Sequence, residues 1–495
     1  YLQLFEKLQY LLDCKNFYSQ YDYNRIHYYL MHKRTKIIAT IGPASKSLEV
    51  IYKLYQNGMN VVRVNMSHAS VQDLSDISQI VSKLNKKIKS SIGLMIDTQG
   101  PEIRTSNFKD SITLKKGDVV TLCSTTKNKS AKEIRVDNLS YVKGLKVGGK
   151  ISLDNGQIDL KVKKIAKERI ECGVLDAGVI AGKKHVNFPG ATVKLPTLTT
   201  KDKKDIKEGL KCGVDFIALS FARTDKDLKE LASLLKREKS KPEIFAKIEE
   251  QQGMDNIDEI TKHSDGLLVA RGDLGIETDI TNLPYVQRKM VRVALQAGKK
   301  CIVATQLLES MITNPHPTRA EVSDVANAVY EGADALMLSA ETTVGDFPIK
   351  CVKYVSDIAK NAERSETLHF ENNVKHMSDW HTLASTSVKL AKRIDADAIV
   401  VLTRSGFTAK LISSARPRVP VYAFTNDRST QNKLSMASSL ENIYLNFKRD
   451  HEKTIADAFD VLKNDYKLRG KKKFIVISGV FSDEYADAIQ IRFLK

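Results

Sequence analysis

The six cysteines of this 495-residue chain (Cys14, Cys123, Cys172, Cys212, Cys301 and Cys351) lie far apart and form no C-x-x-C pair. Their spacing excludes a disulfide framework and a cysteine zinc site, and indicates a reducing compartment. No apolar stretch approaches the roughly 18–20 residues that cross a bilayer, so a transmembrane reading is excluded. Internal repeats and low-complexity tracts are absent. So is any basic run interleaved with aromatics, the pattern expected of a nucleic-acid binder. The first 30 residues contain no apolar core of a secretory signal, and with Glu6, Asp13 and Asp22 they do not look like an acid-poor transit peptide. An upstream targeting segment stays an open alternative.

What is present is a globular composition, 42% hydrophobic and 28% charged. A single core stops growing near ~250–300 residues, so two or three domains are expected. The net charge of +19 comes from lysines scattered along the chain. Its densest runs, "KLNKKIK" and "RGKKKF", are short, and they read as solvated surface rather than a nucleic-acid footprint.

From about residue 35 to 362, short β-branched runs alternate with amphipathic stretches, the rhythm of βα units around a parallel sheet. Eight runs stand out: "TKIIATIG", "NVVRVNM", "IGLMIDTQG", "FIALSFA", "IFAKIE", "GLLVARGD", "CIVATQ" and "ALMLSAET". They predict a closed (β/α)8 TIM barrel. Between about 102 and 196 the rhythm breaks into short strands with Gly and Asn-Gly turns, as in "GGKISLDNGQIDLKVKKI". That block reads as a small β domain inserted after the third strand. From about 365, "DAIVVLT", "PVYAF", "ENIYLNF" and "KFIVISG" predict a further α/β domain. The expected boundaries are an N-terminal helical extension over 1–32, a barrel over 33–101 and 197–364, an inserted lid over 102–196 and a C-terminal domain over 365–495.

In a parallel barrel the active site lies at the C-terminal ends of the strands, and there the polar residues gather. Arg63, Asn65 and Ser67 alternate onto one face with His68 behind them. Asp97 and Thr98 end an apolar run, Lys247 and Glu249 share a face, Asp273 is read as a strand end, and Thr305 ends "CIVAT". Glu249 and Asp273, without His or Cys partners, suit a hard ion such as Mg2+. The alternative is that each is tied up in a structural salt bridge. Asn65, Ser67, Asp97 and Thr98 could hold a monovalent cation, although the residues alone favour ordinary loop hydrogen bonds. Arg63 and Lys247 can neutralise an anionic substrate and the negative charge that develops as a phosphoryl group moves, which is most of what an enzyme contributes to phosphoryl transfer. Thr305 can pass a proton through a water. "GLKVGGK" (144–150) imitates a phosphate loop, but Ile151 follows where Ser or Thr is needed and the context is strands.

Together, "TKIIATIGPAS", "GMNVVRVNMSH", "DTQGPEIRT", "DGLLVARGDLGIE", "ATQLLESMITNPHPTRAEVSDVANAV" and "SAETTVGDFP" resemble the pyruvate kinase family over nearly the whole chain from residue 33. The resemblance implies a barrel with an inserted small β-barrel lid and a C-terminal α/β domain. It also implies a glycolytic phosphotransferase acting on phosphoenolpyruvate and ADP with Mg2+ and K+, a homotetramer, and no nucleic-acid or membrane partner. Cytosol is the default compartment, with a plastid or other organelle as the alternative.

Carried over by position, the resemblance places Lys247 on the transferring phosphoryl group and the enolate, Arg63 on the substrate phosphate and Gly272 beside the substrate carboxylate. Glu249 and Asp273 become Mg2+ ligands, and Thr305 relays a proton. Asn65, Ser67, Asp97 and Thr98 become K+ ligands, with Glu102 as the acid of potassium-dependent members. Asn65, His68, Arg104 and Lys184 fall at nucleotide-contacting positions.

Gln99 and Asn155 stand where lysine and aspartate are common. In "TRSGFT", Thr403, Ser405, Gly406 and Thr408 keep a loop that could grip an effector phosphate, or simply cap a helix. The tail "SGVFSDEYADAIQIRFLK" brings Asp483 and Glu484 instead of the usual second effector loop, which argues against fructose 1,6-bisphosphate as activator. Two rival readings are a Schiff-base aldolase using Lys247 and a non-enzymatic paralogue.

Overall fold

The computed structural model describes residues 33–125, 132–238, 241–374, 378–479 and 487–494. The expected N-terminal extension and the tail acids Asp483 and Glu484 lie outside the described residues.

Eight parallel strands close a barrel: β1 (Lys36–Thr40), β2 (Val61–Asn65), β3 (Gly93–Asp97), β4 (Phe216–Leu219), β5 (Glu243–Ile248), β6 (Gly266–Ala270), β7 (Lys300–Ala304) and β8 (Ala335–Leu338). Each pairs with its sequence neighbours, and β1 pairs with β8 to complete the ring. All eight runs singled out in the sequence are present.

Because side chains alternate across a strand, one row of each run fills the barrel and the other faces the helices. Ile38, Val61, Met95, Phe216, Phe245, Leu268, Ile302 and Met337 form the inner cluster, joined by Met436 from the C-terminal domain. The C-terminal domain therefore closes the foot of the barrel. Gly93 marks this close approach: a Cβ there would lie 2.3 Å from Ser435 Oγ and 2.7 Å from the Phe216 ring. The outer rows join the helices in a second, larger core.

The insertion after β3 builds a six-stranded sheet and two two-stranded sheets around a core of its own. "GLKVGGK" lies there, ending at the start of the strand Lys150–Leu153, a context unlike a phosphate loop. The next turn carries three consecutive left-handed residues, Asp154, Asn155 and Gly156.

One helix matters below: α1 (Arg271–Glu277), directly after β6. The C-terminal domain has strands β9 (Ala398–Leu402), β10 (Val421–Thr425), β11 (Leu440–Tyr444), β12 (Lys472–Ser478) and β13 (Ala488–Leu494), ordered β11-β10-β9-β12-β13. Strand β13, which the sequence does not lead one to expect, runs antiparallel to β12 at the edge.

Candidate active site

The inward rows continue past the core to the mouth. On β5, Glu243, Phe245, Lys247 and the following Glu249 share one parity, so the strand presents charge, aromatic, charge, charge along the barrel axis. On β2 the row is Val61, Arg63, Asn65, and in register Asn65 stands beside Asp97 of β3. A cavity of about 700 Å³ opens at this end, lined by Arg63, Asn65, Ser67, His68, Glu102, Arg104, Lys247, Glu249, Gly272, Asp273 and Thr305. Asn155, Gln157 and His185 of the insertion line it too, so the lid sits over the mouth. Both family departures, Gln99 and Asn155, face this space.

Lys247 is the hub. Its ammonium lies 3.0 Å from Asp97, 3.1 Å from Glu249 and donates to Ser220 Oγ at 2.7 Å. Burial alone would lower its pKa, but Asp97 and Glu249 reverse that and raise it, so it stays charged. This argues against the aldolase reading, because a Schiff-base lysine needs its pKa lowered. Asp97 is fully buried and also takes Arg63 at 2.5 Å. Burial opposes its ionisation, but Lys247 and Arg63 outweigh it and hold its pKa below the usual value.

Glu249 behaves in the opposite way. Burial pushes its carboxyl well above the ordinary carboxylate range, Lys247 offsets only part of this, and Asp273 and Asp97 push it further up. The two partners of the Lys247–Glu249 contact thus disagree: the lysine favours its ion and the glutamate does not. The physical reason is that one ammonium is shared between two acids. Asp273 makes no hydrogen bond or ion pair with another described residue. Three carboxylates, Asp97, Glu249 and Asp273, therefore face two cations, Arg63 and Lys247.

Some placements differ from expectation. Asp273 does not end a strand: β6 stops at Ala270, and Asp273 lies in the first turn of α1. The structural-pair alternative describes Glu249, which pairs with Lys247 at 3.1 Å, but not Asp273. Asp97 and Thr98 lie beneath the cavity floor, buried to within 1%. Thr98 Oγ1 accepts from Ser220 N–H at 3.0 Å. Lys184 does not line the cavity and pairs with Asp154 at 2.9 Å. Arg104 is paired with Glu102 at 2.5 Å, with His185 beside both. Thr403, Ser405, Gly406 and Thr408 lie in the C-terminal domain. Gly406 N–H donates to Thr403 Oγ1 at 3.0 Å, and Gly406 caps the helix Phe407–Ser414 in the left-handed region.

Backbone strain collects at the mouth. Phe221, Thr305 and Gln306 have φ of 53°, 67° and 53°, a conformation that is a genuine outlier for a β-branched residue such as threonine. Each is tied down. Phe221 N–H donates to Glu249 at 2.7 Å. Thr305 Oγ1 accepts from Gly272 N–H at 2.9 Å and donates to the Ala304 carbonyl at 2.6 Å. Arg271, salt-bridged to Asp324 at 2.7 Å, also donates to the Thr305 carbonyl.

Two residues of the site, Ser220 and Ser339, were missed by sequence reasoning. Each lies one inward step beyond its strand, two residues after the interior Ala218 and Met337, so the period-2 rule could have found both.

Two carboxylates are available for a metal, and no group of three or more His, Cys, Asp or Glu poised to hold one occurs among the described residues. That donor set fits an ion such as Mg2+, which completes its shell with water and substrate oxygens.

A (β/α)8 barrel with an excess of carboxylates beside fixed cations at the C-terminal end of its strands, covered by a lid, defines a metal-assisted enzyme acting on an anionic substrate. The family model "Pyruvate kinase, barrel domain" matches residues 32–352, and "Pyruvate kinase, alpha/beta domain" matches 381–491. Pyruvate kinases of Staphylococcus epidermidis and Staphylococcus aureus are 38% identical over 464 residues, covering 91% of this chain and 78% of theirs. The crystal structure of a pyruvate kinase from Cryptosporidium parvum superposes with a TM-score of 0.89 at 32% identity, over 94% of this chain and 97% of that one. The chain belongs to the pyruvate kinase family. Its reaction is transfer of the phosphoryl group of phosphoenolpyruvate to ADP, giving pyruvate and ATP in glycolysis.

Proposed function

We propose that Lys247 and Arg63 carry the electrostatic part of this transfer, and that Glu249 and Asp273 hold Mg2+. The observation that supports this is the charge balance: three carboxylates facing two cations leave the mouth short of positive charge. Mg2+ bound there would supply that charge against the phosphoryl and substrate carboxylate oxygens. Lys247, kept protonated, stabilises negative charge on the moving phosphoryl group and on the enolate oxygen left behind. Arg63, fixed by Asp97 and by donation to Thr40 Oγ1 at 2.8 Å, orients the substrate phosphate. Gly272 N–H, which donates to Thr305 Oγ1 at 2.9 Å, would turn to the substrate carboxylate when substrate binds. Thr305, beside it, passes a proton to the enolate carbon through a water once its hydroxyl turns from the Ala304 carbonyl.

We assign K+ to Asn65 and Ser67 from the cavity side with Asp97 and Thr98 beneath. Nucleotide binding falls to Asn65, His68 and Arg104, with Lys184 joining if it leaves Asp154. The lid excludes water so that ADP accepts the phosphoryl group. Assembly into a homotetramer fits the apolar surface exposed at Ile280 and Tyr285 on the barrel and at Ile491 and Phe493 on β13.

The test is a coupled pyruvate-forming assay with phosphoenolpyruvate, ADP, Mg2+ and K+, run beside Lys247→Met. Activity that falls by about a thousandfold or more in the variant is expected; equal rates would remove Lys247 from the chemistry. Full activity in tetramethylammonium buffer without potassium would remove the K+ assignment.

A further inference from the structure

Helix α1 joins the mouth of the barrel to the lid. Its first turn carries Gly272 and Asp273, which line the mouth. Its last residues touch the lid. Asn187, in the short lid strand Val186–Asn187, donates from Nδ2 to Glu277 Oε1 at 2.7 Å, and the Phe188 N–H donates to the same carboxyl. One residue back, Ile276 lies under the lid turn: a Cβ on Gly156 would sit 3.7 Å from it. Both contacts are with one piece of the lid, because Val186 and Asn187 pair with Leu153 and Ser152 of the strand that leads into that turn. Phe188 is 2% exposed in the lid core, so the N–H that reaches Glu277 is fixed from the lid side.

The helix itself is short and closed at both ends. Arg271 and Gly272 are tied to Asp324 and Thr305 at its start. At its end the Thr278 N–H and hydroxyl both donate to the Leu274 carbonyl, at 2.9 and 2.6 Å. Seven residues rising ~1.5 Å each make a rod of roughly 10 Å. A displacement at Glu277 is therefore felt at Asp273.

The contact is costly for a mere fastening. Glu277 does not line the mouth cavity. Burial pushes its carboxyl up to about 7, with Glu250 and Asp273 adding to the rise and the Asn187 and Phe188 hydrogen bonds only partly opposing it. Asn187 Oδ1 is buried without a hydrogen-bond partner among the described residues. A destabilised acid and an orphaned amide oxygen both work against the fold, and such local conflicts persist where function uses them.

We propose that Glu277 is a positioning residue that couples the lid to the metal position: Asn187 and Phe188 docked on its carboxyl set α1, and α1 sets Asp273 and Gly272. This rests on the assignment of Asp273 to Mg2+. A lid that lifts takes both hydrogen bonds from Glu277 and frees the far end of α1, so the metal is held firmly only beneath a seated lid.

The test uses Mn2+ in place of Mg2+, its binding to the full chain without substrates followed by the EPR signal of the free ion. Glu277→Ala should weaken Mn2+ binding by about tenfold, and Asn187→Ala, altered only in the lid, by a similar factor. The double variant should bind Mn2+ no more weakly than either single one, because both remove the same link. Glu277→Gln keeps an acceptor for Asn187 and Phe188 and should bind as wild type does. Hydrogen exchange gives a second readout: the Phe188 amide should exchange about tenfold faster in Glu277→Ala and at the wild-type rate in Glu277→Gln. Asp273→Asn separates the coupling from the reading beneath it. If that variant loses Mn2+ while Glu277→Ala and Asn187→Ala keep wild-type affinity, the coupling alone is overturned. If Asp273→Asn keeps its affinity, the Mg2+ assignment falls and the coupling with it. Effects that multiply in the double variant, or a Glu277→Gln as weak as Glu277→Ala, overturn the coupling as well.

Discussion

Strand β5 is charged at both ends, and the two ends differ in sign balance rather than in burial. At the foot, Glu243 is 4% exposed and faces Lys300 at 2.8 Å and Lys410 of the C-terminal domain at 2.5 Å. Burial would raise its pKa, but the two lysines prevail and hold it at about 2. At the mouth, Glu249 is 2% exposed and shares one lysine with Asp97. There burial prevails and the carboxyl is driven up. An acid with more than enough positive charge fastens two domains together. An acid with too little is a standing cost to the fold, which the chemistry of the mouth explains.

The largest effect that separates the two ends is on turnover. Glu249→Gln keeps an acceptor for Phe221 N–H but removes a proposed metal ligand, so kcat/KM at saturating Mg2+ should fall by about a hundredfold or more. Calorimetry of the metal-free variant should show Tm equal to or above wild type, because a buried carboxyl that shares one lysine with Asp97 is replaced by a neutral amide. A lower Tm would mean that Glu249 is a structural salt-bridge partner and the contrast fails.

Glu243→Gln should do the reverse. It leaves Lys300 and Lys410 facing each other without their acid, and breaking a buried pair costs about 3 kcal/mol or more. Chemical denaturation should report that loss while kcat stays close to wild type. A variant as stable as wild type would show the foot network to be dispensable.

The pH dependence follows from the same residue. The pKa of Glu243 falls from an ordinary 4.5 to about 2 on folding, so the unfolded chain binds its proton first. Its contribution to stability is present above pH 4.5 and is lost as pH falls through 2. Between these values the wild-type denaturation midpoint should drop more steeply than that of Glu243→Gln. Parallel curves would assign the acid sensitivity to other carboxylates.

The mouth is largely legible in the sequence and the foot is not, for a physical reason. Polar residues that continue an inward row past an apolar run are visible as local alternation, and this picks out Arg63, Asn65, Lys247 and Glu249. Asp273 reads as a strand residue because "GLLVARGDLGIE" stays apolar at Leu274 and Ile276, which suits a helix as well as a strand. The foot pairs join residues remote in sequence, Glu243 with Lys300 and Asp334 with Arg416, and no local pattern distinguishes them from surface charge. Strand β13, "AIQIRFL", is an exposed edge whose mixed alternation reads as a tail.

The smallest effect tests whether Lys247 is held by more than charge. Ser220 Oγ accepts from Lys247 at 2.7 Å and donates to the Thr98 carbonyl at 2.7 Å, linking the lysine to the floor beneath the proposed K+ position. In Ser220→Ala the ammonium keeps Asp97 and Glu249 and itself loses one hydrogen bond, about 1 kcal/mol. As a positioning residue, Ser220 should affect the transition state more than substrate binding. Steady-state kinetics should then show kcat down about fivefold with KM for ADP unchanged. Should the variant instead lose stability and keep its kcat, Ser220 belongs to the packing of the floor, and Asp97 and Glu249 suffice to aim the lysine.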